Sequence, residues 1–592
     1  METRSDIQKA PLWPLLVFGA VAIIVTSLRA GPALGGDLLG NDDMLRMQQV
    51  RDLLSGDAGW FDVDQKRLLT SDGGAMHWSR LPDLFIAGIV FLFQPLIGRA
   101  SAEGLAATIW PLLQLGWVFA ALTVSLRRLG ATLSGQLAGM FFFCVSFAII
   151  NFLPGRVDHH GLGLALTLTA FACLLSERKT GRSAIIAGFS VAAMLTVAIE
   201  NLPAAAFIIG AFGMAWIVRG EAETNRLRFF GATLVVATLV AYIFDAPGAG
   251  GARGVCDALG QSHFVALLVA GAGMFAIATA MPSTRDWRSR FILLAIAGTA
   301  AAISFVVVNP GCLGDPYAGM PEEVQTGWLN LVGEARSMGA VFADSVADGL
   351  FYYGFALAGL GCAIFALVKA PAGLRFVRAA LVALCTFALL IAMWQLRGTI
   401  LSHSAAAIAA GLVFGELFSR WLNTRGTPAA LALFAGALVI SPLGWRLPAL
   451  LAPPPADDTK VAAADCKSAE SYRTIAAAPR MIVFTPIDLG APLIYHTRHY
   501  ATAAPYHRNA QAIQTAISVF TGPTEEARQK IARTGATHIL YCPGLNELEG
   551  YAKRSPDGFA PLPPEKAPSS TRLRSTGIDA RAALRQRGAC QI

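Results

Sequence analysis

The chain has 592 residues, of which 54% are hydrophobic and only 15% are charged. A soluble globular protein carries about 25% charged residues, so the composition excludes that class and predicts helices buried in a bilayer. The net charge of +8 does not indicate a nucleic-acid partner, because the basic residues flank apolar blocks in short loops and form no strip interleaved with aromatic residues.

The first predicted element is a membrane helix over residues 11–28. No small-residue cleavage site follows it, so we interpret it as a retained helix and not as a signal peptide. Further apolar blocks predict spans at 103–126, 131–152, 161–176, 183–200, 203–218, 228–244, 263–281, 290–309, 348–369, 377–395, 399–418 and 428–450.

The basic loops predict the topology. Lys and Arg mark the connections that face the cytoplasm, at 127–130, 177–182, 219–228, 282–290, 370–378 and 419–427. Counting back from the first of these, the helix 103–126 enters from outside, so 29–102 is an external loop and its apolar block 81–98 is interfacial or re-entrant. We therefore expect a multi-pass inner-membrane protein with about 13 spans, a cytoplasmic N-terminus and an extracytoplasmic C-terminus.

The composition changes after residue 451, where the Pro-rich APPPADD begins a linker. MIVFTP and THILYCP are apolar, strand-like runs bounded by turn residues, and NAQAIQTAISVF and TEEARQKIART have a helical pattern. We expect residues 452–592 to form an extracytoplasmic soluble α/β domain, and residues 1–451 to form the transmembrane domain.

The nine cysteines fall into two groups. Four of them lie inside apolar blocks and are expected to be core filler: Cys144, Cys173, Cys362 and Cys385. Cys256 and Cys312 occupy neighbouring external loops, where an oxidising compartment would allow them to pair. Cys466, Cys542 and Cys590 share the tail, so one pair and one free thiol are expected there, with the connectivity left open.

Polar residues concentrate in three external loops. In the first, GNDDMLRMQQVRDLLSGDAGWFD at 40–62, Asn41 or Asp42 is expected to cap a helix with an apolar face. Taken alone, this segment favours a capped amphipathic helix on the membrane surface over a functional site. In the second, 153–161, Asp158, His159 and His160 share a minimal turn. A carboxylate and an imidazole at this spacing reach one divalent cation, which we favour over a polar turn with interfacial histidines.

Two further residues stand beside membrane blocks. Glu334 lies in the third loop, 310–347, in WLNLVGEARSM, where the alternative role is a surface ion pair with Arg336. Arg397 lies in MWQLRGTILSHS between two apolar blocks. It either extends to the membrane interface or binds phosphate through its guanidinium group.

Together these features resemble the catalytic subunit of oligosaccharyltransferase, of the archaeal and bacterial single-subunit type, a membrane glycosyltransferase of the GT-C class. NDDMLRMQQVRDLLSG resembles the first-loop motif of the bacterial enzymes, which implies that Asp42 is catalytic and binds metal. DHH at 158–160 is similar to the archaeal second-loop motif, which implies metal ligands at Asp158 and His160.

The resemblance extends to the later loops. VGE at 332–334 resembles the fifth-loop motif and implies a catalytic role for Glu334. LRGTI at 396–400 resembles the site of the arginine that holds the donor diphosphate, which implies that role for Arg397. The tail departs from the family, because WWDYG, which reads the acceptor sequon, is missing. The nearest segment is PIDLG at 486–490, with Asp488 as a possible acceptor-side residue.

The resemblance implies inverting transfer of a sugar or oligosaccharide from a polyprenyl-diphosphate-linked donor to an extracytoplasmic protein, lipid or polysaccharide. Oxygen ligands with one imidazole suit Mn²⁺ or Mg²⁺. One alternative is a polyprenyl-phosphate-sugar-dependent transferase that modifies a lipid or polysaccharide. The other is a transporter, which is disfavoured because the acidic groups cluster in loops and no repeated halves are evident.

Overall fold

The computed structural model describes residues 11–70, 74–177, 181–245, 255–281, 286–314, 319–451, 466–542 and 545–559. Within these ranges, eight helices are long and apolar enough to cross a membrane: Arg99–Arg128, Ile199–Arg219, Glu221–Phe244, Gln261–Ala280, Trp287–Val308, Val346–Val368, Ala372–Trp394 and Leu396–Thr424. The pair Thr427–Ile440 and Pro442–Leu451 is bent by 71° and is a ninth candidate.

Five shorter apolar helices complete the bundle: Trp13–Ser27, Leu81–Ile97, Leu133–Cys144, His160–Leu174 and Arg182–Val197. Every apolar block of the sequence contains one of these helices or one of the longer ones, so the multi-pass helical architecture is confirmed. The number of 13 spans stays a prediction, because a straight span needs about 20 residues and the shortest of these helices, Leu133–Cys144, has 12.

Small residues bring two helices of the bundle into backbone contact. A Cβ atom on Gly135 of Leu133–Cys144 would lie 2.7 Å from the carbonyl oxygen of Gly411 in Thr399–Thr424. Such close approach is typical of membrane helix pairs, where small residues line the interface. The turn that follows the first helix also contacts the second one nearer to Arg397, where the backbone N–H of Phe147 donates to Nδ1 of His403 at 3.2 Å.

Shorter segments connect the apolar helices. They include the α-helices Gly31–Leu34, Asn41–Ser55, Glu322–Gly327, Met338–Asp344 and Val346–Gly349. Tighter helical turns occur at Phe147–Phe152, Ile199–Asn201, Pro310–Leu313, Leu329–Leu331, Gly333–Ala335, Ala372–Leu374 and Leu396–Gly398, and a π-helical turn at Leu350–Gly354. Four of the candidate spans begin with one or more of these short segments and continue as the α-helices Leu202–Arg219, Phe355–Val368, Arg375–Trp394 and Thr399–Thr424.

The helix Asn41–Ser55 does not lie on the surface. Its residues 43–50 are all buried, so the alternative of an amphipathic surface helix is wrong. The cap prediction is wrong too, because Gly40 occupies the N-cap and makes no side-chain cap hydrogen bond. Glycine is acceptable at this position, and it leaves the side chains of Asn41 and Asp42 available for contacts outside the helix.

The C-terminal unit is an α/β fold, as predicted. Its parallel sheet has the order Tyr500–Ala501, Ile482–Phe484, His538–Ile539, with Val483 opposite both Ala501 and His538. Around it lie the helices Ala469–Ala476, Gly490–His496, Ala510–Thr521, Thr524–Arg533 and Asn546–Arg554 and the turns Ile487–Leu489 and His507–Asn509. The predicted linker falls outside the described residues.

The C-terminal unit shares one apolar core with the loops of the membrane unit. Trp78 of the first loop and Val324 of the loop 310–347 are buried in the same cluster as Phe484 and Phe520. Burial of apolar area at about 25 cal/mol per Å² therefore stabilises the seating of the C-terminal unit on these loops. A second and larger cluster lies among the apolar helices.

Two disulfides join the predicted cysteines. Cys256 pairs with Cys312, as expected, and within the tail Cys466 pairs with Cys542. The remaining tail cysteine, Cys590, lies outside the described part of the chain. The four cysteines of the apolar blocks are free thiols, and all but Cys144 are fully buried.

Candidate functional site

The turn after Phe147–Phe152 brings a carboxylate and an imidazole together, as the sequence predicted. Oδ2 of Asp158 lies 3.2 Å from Nδ1 of His160, and Oδ1 of Asp158 accepts the backbone N–H of His160 at 3.1 Å. Burial opposes ionisation of Asp158, but His160 and Arg156 outweigh it and hold the pKa of this carboxyl group well below its usual value. Asp158 is therefore a charged, oriented carboxylate.

Asp43 holds this turn in place. Its Oδ1 atom accepts the backbone N–H groups of Val157 at 2.7 Å and Asp158 at 2.9 Å, and its Oδ2 atom lies 3.1 Å from Nη1 of Arg156. Asp43 is fully buried. The sequence pattern NDD does not indicate this role, because only the geometry shows which aspartate faces the site and which one anchors the turn.

Glu200 is a second residue that the sequence analysis missed. Its Oε1 atom lies 3.2 Å from Nε2 of His159 and 3.4 Å from Nε2 of His160, and its Oε2 atom lies 2.7 Å from Nη1 of Arg397. It belongs to the turn Ile199–Asn201 between two apolar helices. In the sequence, Glu200 could have been recognised as a lone carboxylate at the end of an apolar block, in a connection without basic residues.

Glu334 and Arg397 complete the ring of charges. Nη2 of Arg397 lies 3.9 Å from Oε1 of Glu334, and Nε2 of His160 lies 3.9 Å from Oε2 of Glu334. Arg336 pairs with Asp344, Nη2 to Oδ2 at 2.6 Å, so the alternative pair of Glu334 with Arg336 is not formed. Arg397 points into the cluster and not only toward the membrane interface.

Asp42 borders the same cluster. Desolvation raises the pKa of its carboxyl group, and the negative charge of Glu334 raises it further, while His159 and His160 act in the opposite direction. Tyr506 of the C-terminal unit donates its hydroxyl to the backbone oxygen of Asn41 at 3.3 Å. The first turn of Asn41–Ser55 is therefore held between the histidine turn and the C-terminal unit.

Asp488 reaches the site through Asn41. Oδ1 of Asp488 accepts the side-chain amide of Asn41 at 3.4 Å. The buried carboxyl group of Glu547 accepts the backbone N–H groups of Ile487 and Asp488, each at 2.8 Å. Burial, with the nearby charge of Asp488, raises the pKa of Glu547 to about 8. The PIDLG segment is thus fixed at the edge of the cluster.

The donor atoms fit a divalent cation. One ligand atom from each of His159, His160 and Glu200 lies within 4.8 Å of the others. Both ring nitrogens of His160 are buried, and neither makes a well-aligned hydrogen bond with any described residue, although carboxylates lie 3.2 and 3.4 Å away. Carboxylates outnumber guanidinium groups around them, which favours a cation.

No protein-family model matches the chain, and no curated protein matches it in sequence. Solved structures match its fold. The archaeal oligosaccharyltransferase AglB from Archaeoglobus fulgidus, in complex with an inhibitory peptide and a dolichol-phosphate, superposes with a TM-score of 0.61 at 13% identity, over 88% of this chain and 69% of that one. The chain has the fold of oligosaccharyltransferase.

Two further structures of the Archaeoglobus fulgidus oligosaccharyltransferase agree. One is tethered with an acceptor peptide containing the NVT sequon, with a TM-score of 0.61, 14% identity, and coverage of 93% of this chain and 72% of that one. The other is a complex with Zn and sulfate, with a TM-score of 0.57, 14% identity, and coverage of 88% and 67%. The resemblance and GT-C fold expected from the sequence motifs are confirmed.

Proposed function

We propose that the chain is a membrane glycosyltransferase that moves a sugar or oligosaccharide from a polyprenyl-diphosphate-linked donor to an extracytoplasmic acceptor. The observation that carries this proposal is the convergence of Asp158, His160, Glu200, Glu334 and Arg397 on one spot. These residues come from four separate connections of a fold that resembles oligosaccharyltransferase. Transporter sites typically lie near the bilayer midplane between repeated halves, whereas these residues lie in or next to the connections between apolar helices.

Asp42, Asp158 and His160 are the proposed ligands of a divalent cation, Mn²⁺ or Mg²⁺, and Glu200 is a further candidate ligand. The hard carboxylate oxygens suit these ions, and the imidazole favours Mn²⁺. Such a cation, when bound, neutralises negative charge on a diphosphate. A structural relative that contains Zn and sulfate supports a cation and an anion in this fold.

Arg397 is the proposed diphosphate ligand. Its guanidinium group offers paired N–H donors whose geometry matches phosphate oxygens. In the structure these donors face Glu200 and Glu334, so the donor diphosphate would replace carboxylates that are already at the site. Because the charge on the leaving group grows as its bond to the sugar breaks, an arginine in this place stabilises the transition state.

The proposed reaction is a single displacement. The acceptor attacks the anomeric carbon from the face opposite the diphosphate, the bond from that carbon to the diphosphate oxygen breaks, and the configuration inverts. Asp42 and Glu334 are the proposed groups that orient the acceptor and accept the proton of its N–H or O–H group.

The acceptor class is proposed only broadly, as a protein, lipid or polysaccharide. A relative of the same fold is tethered to a peptide containing the NVT sequon, which supports a peptide acceptor. The segment PIDLG at 486–490 lacks the aromatic residues of WWDYG, which favours the second candidate, a polyprenyl-phosphate-sugar-dependent transferase that acts on a lipid or polysaccharide. Asp488 is the proposed acceptor-side residue in either case.

Transfer in vitro tests the proposal. Purified protein is given donors with a diphosphate or a monophosphate link, and each donor is offered with a sequon peptide and with lipid or polysaccharide acceptors. Transfer from the diphosphate donor with inversion supports the first candidate, and transfer from the monophosphate donor alone supports the second. If neither donor supports transfer and the protein instead moves the lipid-linked sugar across the membrane of proteoliposomes, the protein is a transporter and the proposed enzymatic function is wrong.

We further assign residues 1–451 to the transmembrane catalytic domain, with its N-terminus in the cytoplasm of an inner membrane, and residues 452–592 to an extracytoplasmic domain. The contacts between Asn41 and both Asp488 and Tyr506 support placing the first loop and the tail on one side. Reporter fusions at positions 158 and 500 test this topology. A cytoplasmic signal at either position would contradict it.

A further inference from the structure

A second group of metal-ligating side chains lies beside the candidate active site and shares no residue with it. His77, Asp257 and His507 each place one ligand atom within 4.8 Å of the others. His77 belongs to the first loop, Asp257 to the connection between Glu221–Phe244 and Gln261–Ala280, and His507 to the C-terminal unit. Three distant parts of the chain therefore meet at these side chains.

The two imidazoles face each other and the carboxylate. The rings of His77 and His507 have centroids 4.6 Å apart, and Nε2 of His507 lies 2.7 Å from Oδ2 of Asp257. Nδ1 of His77 is buried and has no hydrogen-bond partner among the described residues. A buried polar atom is almost always paired, so this nitrogen indicates a missing ligand.

Arg508 orients the carboxylate of the group. Its Nε and Nη2 atoms donate to Oδ2 and Oδ1 of Asp257 at 2.7 and 2.8 Å, and its Nη1 atom donates to the carbonyl oxygen of Met76 at 3.1 Å. Metal-binding side chains are commonly fixed by such outer contacts. The disulfide Cys256–Cys312 anchors the residue before Asp257.

We propose that His77, Asp257 and His507 bind a borderline divalent cation, Zn²⁺ in particular, which fastens the C-terminal unit to the loops of the membrane unit. Two imidazoles and one carboxylate are a typical zinc donor set that leaves the fourth position to water. Ligand atoms of a tetrahedral zinc site lie roughly 3.4 Å apart. The three ligand atoms here already lie within 4.8 Å of one another, so only small side-chain movements are needed to bind zinc.

The cation would also act on the wall of the active site. Trp78 and Tyr506 adjoin the two histidines in sequence, and their rings pack with centroids 5.3 Å apart. Tyr506 in turn holds the backbone of Asn41, next to Asp42. A cation bound by His77, Asp257 and His507 would therefore fix Trp78 and Tyr506, which form the surface against which an acceptor would rest. This holds whichever reaction the neighbouring cluster performs.

Metal binding by the full-length protein in detergent tests the proposal. The protein is stripped with a chelator and titrated with Zn²⁺ or with Co²⁺, whose visible absorption reports tetrahedral coordination. To remove the other cluster from the measurement, the titration uses the Asp158→Asn/His160→Gln background. We expect one equivalent of Zn²⁺ and a rise in Tm there. The absence of bound Zn²⁺ in this background would overturn the proposal.

Single substitutions locate the site. His77→Gln and Asp257→Asn, each added to that background, are expected to abolish the bound equivalent and the rise in Tm. His538→Gln in the same background is the matched control and keeps both, because His538 lies in the C-terminal sheet away from the group. Nδ1 of His77 has no hydrogen-bond partner among the described residues, so His77→Gln is expected to fold. If both ligand variants bind Zn²⁺ as before, the proposal is wrong, and Asp257 serves only as the ion-pair partner of Arg508.

Discussion

Asp43 accepts the backbone N–H of Asp158 at 2.9 Å across 115 residues of sequence. This single carboxylate joins the helix Asn41–Ser55 to the turn that carries both histidines of the site. The two aspartates that follow Asn41 therefore have different tasks. Asp42 borders the candidate metal site, and Asp43 fixes the position of the histidine turn.

Asp43→Asn is expected to misplace the histidine turn. The change removes a charge that faces Arg156 and two backbone donors, and loss of one member of a buried ion pair costs about 3–5 kcal/mol. We expect a lower Tm. We also expect transfer to fall by more than about tenfold, which corresponds to about 1.4 kcal/mol of lost transition-state stabilisation, because Asp158 is no longer held in its position. Asp57→Asn, at an exposed position, is the control. Equal Tm and transfer in the two variants would contradict this role.

Glu200→Gln tests the residue that sequence reasoning missed. The amide keeps the shape but loses the charge that faces His159, His160 and Arg397. Contacts to charged groups contribute roughly 1.5–3 kcal/mol, so transfer is expected to fall about 10- to 100-fold. Single-turnover rates at saturating donor measure it, with the exposed Glu221→Gln as control. Wild-type rates in Glu200→Gln would remove Glu200 from the site.

Arg397 is expected to act on the donor. Arg397→Ala should raise the donor KM more than Arg397→Lys does, because lysine keeps the charge and loses the paired donors. The acceptor KM should change little in both variants. Arg336→Ala, which breaks a pair with Asp344 in the neighbouring loop, provides the comparison. If both substitutions at position 397 leave the donor KM unaltered, the guanidinium group serves only the membrane interface.

Glu547 is expected to influence acceptor binding by holding the PIDLG segment in place. Glu547→Ala leaves the N–H groups of Ile487 and Asp488 without their carboxylate, and each unpaired buried donor costs about 1–3 kcal/mol. The PIDLG segment should then shift, so the acceptor KM rises while the donor KM is unchanged. Glu549→Ala is the control, since residues two apart on a helix do not face the same side. A rise confined to the donor KM would contradict the assignment.

The features that depend on local sequence patterns could be predicted from the sequence. Apolar blocks of about twenty residues became helices, the spacing of Asp158 and His160 placed them in contact, and two disulfides formed among the loop cysteines that were expected to pair. The strands and helices of the tail also follow their sequence patterns. These features depend on periodicity, hydropathy or short separations along the chain.

The contacts that depend on tertiary packing could not be predicted from the sequence. Glu200 meets Arg397 across 197 residues, and nothing in the pattern IENLP distinguishes it from the polar end of a span. Asp43 differs from Asp42 only in the direction that the helix gives its side chain. The cap prediction was wrong because contacts with the C-terminal unit use Asn41.

His159 lies between Asp158 and His160 and makes contacts of its own in the cluster. Its Nε2 atom lies 3.2 Å from Glu200, and its ring stacks on that of His160 with centroids 4.4 Å apart. His159 is therefore part of the cluster, so it is not suitable as a control for substitutions at His160. His538 lies in the C-terminal sheet and replaces it in that role.

Transfer from a lipid-linked donor before and after chelation tests the central claim most directly. Wild-type protein and His538→Gln are expected to lose transfer with a chelator and to recover it with Mn²⁺ or Mg²⁺, whereas Asp158→Asn and His160→Gln stay inactive while remaining folded by their elution and Tm. Carboxylate and imidazole ligands supply most of the affinity for such ions. Transfer that is indifferent to chelation, or undiminished in Asp158→Asn and His160→Gln, would contradict a cation-dependent glycosyltransferase.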